Sequence, residues 1–232
     1  MGQSIDFIKD RRVKTISAAT TFADAWVWEE QDLPTMQAEL AALAGDGSFT
    51  GQEELAAAAE AAMLAARGAW DTQLDVLHRR TVQGVGMAKN KFRDDPAKLQ
   101  NLSGLTARGT SRTETLAEAL AWESAWEKAA PAWAPLPANT LAAFKTLRTA
   151  CLDALQKAYS DQRAAWRDEA EKLAQMALVM ENRSEAWYAA ATLVYPAGTP
   201  EGDMIRGTVP TTYTPPPPAP PAPPTPPAPT GP

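Results

Sequence analysis

At 232 residues with 45% hydrophobic side chains, the chain is long enough to bury one well-packed core or two small ones. A formal charge of −6 and a pI near 5.0 argue against a nucleic-acid partner, which needs a concentrated basic face. No stretch is apolar and long enough to insert in a membrane, and the start Met-Gly-Gln-Ser-Ile-Asp has no apolar signal core. A cytoplasmic protein is therefore the default expectation, with export by a signal-independent route left open.

The only cationic cluster, Lys9, Arg11, Arg12 and Lys14, is interleaved with Asp6 and Asp10 and reads as a solvated lead-in over residues 1–14. Residues 15–31 then read as a helix carrying Ile16, Ala19, Ala23 and Trp26. Pro34 interrupts it, because proline lacks the N–H that a helix interior needs. A short continuation bears Met36, Leu40 and Leu43, and Ala44-Gly-Asp-Gly-Ser-Phe49 is a turn. Thr50-Gly-Gln-Glu53 has the form of a capping box, and apolar steps of three and four from Leu55 to Phe92 predict one long helix.

The same plan begins again at Ser111-Arg-Thr-Glu114, a second capping box. Leu116, Ala119, Trp122 and Trp126 form its stripe, Pro131 breaks it, and Pro131-Ala-Trp-Ala-Pro-Leu-Pro137 is a stiff connector. A second long helix, capped at Asn139 or Thr140, carries Phe144, Leu147, Cys151, Leu155, Tyr159, Trp166, Ala170, Leu173, Ala177, Met180 and Trp187. Adding 96 to Trp26, Arg67, Trp70 and Leu77 lands on Trp122, Arg163, Trp166 and Leu173, and Gly104-Leu-Thr-Ala-Arg-Gly-Thr110 matches Gly202-Asp-Met-Ile-Arg-Gly-Thr208. The expected architecture is all-α: duplicated helical hairpins over residues 15–110 and 111–213, packed about a pseudo-twofold axis as an elongated, coiled-coil-like four-helix bundle with Trp26, Trp70, Trp122 and Trp166 in its core.

Candidates for chemistry are few. His78, the sole histidine, lies between Leu77 and Arg79-Arg80 and reads as solvated; Cys151, the sole cysteine, reads as a small buried hydrophobe. One Cys and one His cannot make a Cys/His zinc site, and neither a Glu-x-x-His pair nor a nucleophile motif occurs, so no catalytic, cofactor-binding or metal residue is expected. Arg67-x-x-Trp70 and Arg163-x-x-Trp166 each place a guanidinium one turn from an indole, suited to covering the edge of a core tryptophan. The Gly-x-x-x-Arg-Gly-Thr segments lack a phosphate-loop lysine and read as loops folded back on the helix ends.

The tail, residues 214–232, carries the functional signal. From Pro215 onward it reads PPPPAPPAPPTPPAPTGP, which suits a polyproline II rod of three residues per turn. Pro215, Pro218, Pro221, Pro224 and Pro227 fall on one edge, and Ala219, Ala222, Thr225 and Ala228 on another. The expected function is non-enzymatic assembly: the tail docks on neighbouring copies of the same protein and builds a filament or lattice. The alternative is an adaptor whose tail recruits an SH3-like or WW-like module.

Overall fold

A computed structural model describes residues 4–21, 32–48, 50–106 and 108–209. Among these the chain is all-α, with no strand and one isolated bridge, Leu136 with Asn139. In chain order the helices are α1 (Ile5–Thr21), α2 (Leu33–Ala44), α3 (Gln52–Lys91), α4 (Pro96–Asn101), α5 (Arg112–Ala129), α6 (Leu141–Thr149), α7 (Gln156–Val194) and α8 (Pro200–Arg206), and the six residues Ala150–Leu155 join α6 to α7 as a π-helical segment. The expected helix over 22–31, Trp26 with it, and the proline tail lie outside the described residues.

Local signals account for most ends. Ser111 accepts from the Glu114 N–H while Glu114 accepts from the Ser111 N–H, a complete capping box; Thr140, Thr199 and Asp95 cap α6, α8 and α4. Thr50 does not do the same. The N-cap of α3 is Gly51, without a side-chain cap. A Cβ on Gly51 would lie 2.1 Å from the Gly45 N, so the chain passes too close to its own turn for any other residue. That turn is as expected, with Gly45 and Gly47 at positive φ. α1 also departs from expectation: it starts at Ile5, so residues 5–14 are helix rather than lead-in.

Chain contacts group into two compact units, 1–40 with 180–232, and 41–179. They do not follow the two sequence halves. The unit of residues 41–179 is built on the end of α3, with α5, α6 and the π segment around it. Its core holds Trp70, Leu74, Leu77, Val85, Ala88, Phe92, Leu102, Ala119, Trp122, Trp126, Phe144 and Cys151. The other unit packs Ala18 and Met36 against Trp187, Ala191 and Ile205 of α7 and α8. Each core thus takes the end of the long helix from one half and the short helices from the other.

Burial also sets a different register from the sequence match. Trp70 is buried, whereas Trp166, 96 residues on, is only half-buried and belongs to neither core. At a separation of 103 the environments agree: Leu77 with Met180, Thr81 with Ser184, Ala88 with Ala191 and Leu102 with Ile205 are all buried, and α3 and α7 end at Lys91 and Val194. The seven-residue difference is about two helical turns, which keeps the same face inward and lets an apolar stripe match itself at either spacing.

Candidate functional site

The most developed chemical feature of unit 41–179 is aromatic. Along α5 the four-residue step from Trp122 to Trp126 puts both indoles on one face, stacked at 5.1 Å between centroids and 27° between planes. Room for Trp122 comes from Gly84, where a Cβ would lie 2.7 Å from the indole. Trp126 meets Phe144 at 6.0 Å and Trp133 edge-on at 6.4 Å. α5 ends at Ala129, just before Pro131, and the chain turns there: the Trp133 N–H donates to the Ala130 carbonyl, and the Trp126 Nε1–H donates to the Trp133 carbonyl at 2.8 Å. These bonds bring the Trp133 ring against Phe92, 5.4 Å away at 73°.

Trp133 is half-buried, so the aromatic series that starts in the closed core reaches the surface at this ring. Lys98 stands beside it, with Nζ 5.3 Å from the Phe92 centroid and 2.9 Å from Asp95. The connector residues Pro131, Ala132 and Leu136 are exposed.

A second cluster sits around Trp70. The Arg112 guanidinium grips Asp71 with two bonds, Nε to Oδ1 at 2.6 Å and Nη2 to Oδ2 at 2.8 Å, and lies 4.8 Å from the Trp70 ring centroid and 5.8 Å from that of Tyr159. Its hydrogen bonds hold the Asp71 carboxyl below the ordinary aspartate value and raise the Arg112 guanidinium in return. The cation on Trp70 is therefore Arg112, not Arg67. Arg67 turns to Asp71 at 3.7 Å, because the carboxylate one turn on offers a better partner than a ring face already covered. Arg163 is exposed, and no cation lies over Trp166 among the described residues.

The two Gly-x-x-x-Arg-Gly-Thr segments also diverge. Gly104, at φ +93°, turns the chain out of α4, and the Glu118 carboxylate then accepts from the Arg108 and Gly109 N–H groups at 2.7 and 2.8 Å. This is the folded-back loop expected, and it borders a cleft of about 230 Å³ with Thr81, Val85 and Ala121. Gly202, by contrast, lies inside α8 with its N–H held by Thr199. The same residues form loop in one place and helix in the other, because Thr199-Pro200 starts a helix before the motif is reached.

Unit 1–40 with 180–232 carries a polar interior. Arg12 is fully buried and pairs with Glu39, whose other oxygen pairs with Arg183; Arg12 also donates to the Ser184 hydroxyl at 3.4 Å. Arg11 is buried too and bonds Glu185 at 3.2 Å. The expected solvated cluster is therefore split. Lys9 and Lys14 keep to the outside with Asp6 and Asp10, while the two arginines face inward, since their positions fall on the stripe of Ile8, Thr15 and Ala18. Burial, and then the charge of Arg183, pull the Arg12 guanidinium down to about 10.

Cys151 is fully buried, and desolvation pushes its thiol up, away from the reactive thiolate. His78 is half-buried rather than solvated, with Nδ1 out of contact with water. Among the described residues no group of three His, Cys, Asp or Glu side chains could hold a metal ion, and no helix is long and apolar enough to cross a membrane. Of the expected core residues, Trp70 and Trp122 are buried, Trp166 is half-buried, and Trp26 lies outside the described residues, as do Pro215, Pro218, Pro221, Pro224 and Pro227. Sequence reasoning missed Trp133 as a surface aromatic; its place in a proline-bounded connector directly after two core tryptophans was the available signal. No protein-family model, curated protein or solved structure matches the chain.

Proposed function

We propose that the chain is a non-enzymatic assembly protein of the cytoplasm, a duplicated helical body whose proline-rich tail docks on neighbouring copies to build a multisubunit body. The observation that carries this reading is the tail itself. Eighteen residues from Pro215 to Pro232 place Pro215, Pro218, Pro221, Pro224 and Pro227 on one edge of a polyproline II rod, a surface that binds with little loss of backbone entropy. The body favours a structural role: its arginines are engaged in Arg12–Glu39, Arg112–Asp71 and Arg148–Glu123 pairs, and its thiol is buried. The duplication is supported by the burial pattern that recurs at 103 residues.

Sedimentation of the full chain, of a chain lacking 215–232, and of a chain with alternate tail prolines replaced by glycine tests the reading. Both variants are expected to shift to smaller species while keeping the helical circular-dichroism signal. Parent-like assembly by both would remove the assembly role and favour an adaptor whose tail recruits an SH3-like or WW-like module.

A further inference from the structure

The tail needs a seat, and the described surface offers one whose chemistry fits. Proline-rich rods are read by aromatic rings that stack on the pyrrolidines and by donors that reach their bare carbonyls. Trp133 is a half-buried indole already held by Phe92 and Trp126, so it loses little side-chain freedom on binding. Lys98 adds an ammonium beside the same rings, and exposed Ala132 and Leu136 leave the approach free of charge.

The length of the tail decides whose tail it is. Twenty-three residues follow Val209, and the eighteen from Pro215 span about 55 Å as a polyproline rod at ~3.1 Å per residue. A compact unit of about 70 residues, such as the one the tail leaves, is only roughly 30 Å across. Most of the rod therefore reaches past the body that carries it. Resting on the assembly reading above, we propose that Trp133, with Lys98 and the edge of Phe92, is the seat for the proline tail of a second copy. The segment 214–232 has no charged side chain, so this contact is insensitive to salt, unlike a charge-driven one.

The test uses full-length chains in sedimentation velocity: the parent, Trp133→Ala, Ala132→Glu, and the chain with alternate tail prolines replaced by glycine. Ala132→Glu places a charge beside the seat without removing any core contact, and so covers the case in which Trp133→Ala fails to fold. Both seat variants are expected to weaken association at least tenfold at 50 and 500 mM salt alike. Mixing Ala132→Glu, which keeps its tail, with the glycine-tail chain, which keeps its seat, should restore hetero-association that neither shows alone. Parent-like association of Ala132→Glu, or no rescue on mixing, would overturn the seat. If the glycine-tail chain is impaired while Ala132→Glu is not, the seat is wrong and the assembly reading stands; if neither is impaired, the assembly reading falls as well.

Discussion

The two compact units solve the same packing problem with opposite chemistry. In residues 41–179, α5 turns Trp122 and Trp126 inward, and Gly84 on α3 makes room for them. In residues 1–40 with 180–232, α1 turns Arg11, Arg12 and Thr15 inward, and Glu39 neutralises the guanidinium that Arg183 also approaches. An aromatic interior gains from every buried area of ring. A buried ion pair must first recover the cost of dehydrating both charges, and specifies its partner more than it stabilises. The 41–179 unit keeps its own strong pair, Glu123 with Arg148, at the margin of its core, where two bonds of 2.6 and 3.2 Å form.

The comparison is broken most severely by removing one member of each interior. Trp122→Ala should cost about 3–5 kcal/mol in a denaturant melt, the transfer term plus the cavity left by a fully buried indole. Glu39→Ala should cost a similar ~3–5 kcal/mol by leaving Arg12 buried and uncompensated. The two diverge on repair. Replacing Arg12 and Glu39 together by Met and Leu should be neutral or stabilising, because the Arg12 value of about 10 lies below the ordinary 12.5 and so shows that keeping the cation inside opposes folding at neutral pH. No paired replacement around Trp122 should recover stability in this way.

A smaller effect separates two glycines of one helix. Gly84→Ala meets the Trp122 ring at 2.7 Å and should destabilise by about 1–3 kcal/mol, outweighing the helix propensity gained. Gly86→Ala meets nothing within 4 Å and should stabilise by up to about 1 kcal/mol. If both variants melt alike, Trp122 does not lie on Gly84.

The smallest expected change is with pH. The folded values of Asp71, Asp95 and Glu114 are depressed by bonds from Arg112, Lys98 and the Thr110 N–H respectively. Their contribution is present above the ordinary carboxylate values of 3.8 and 4.5 and is lost as pH falls through the folded ones. Melting temperature should hold from pH 7 to 5 and decline below about 4, and Asp71→Asn should flatten part of that decline.

Much of this follows from residue order alone. Proline at 34 and 131, the Ser111 box, the glycine turn at 45–47 and steps of three and four determine where helices start, stop and which stripe is apolar, because backbone bonding and helical period are local properties. The all-α class and the burial of Cys151 and Trp122 come from the same source. Tertiary structure decided what local rules leave degenerate. A stripe shifted by two turns faces the same way, so only packing separates a repeat of 96 from one of 103. Arg12 goes inward because Glu39, 27 residues away, is there to receive it. Arg112, not Arg67, covers Trp70 because α5 lies against α3, and Trp133 reaches the surface because the core behind it is already filled by Trp126 and Phe92.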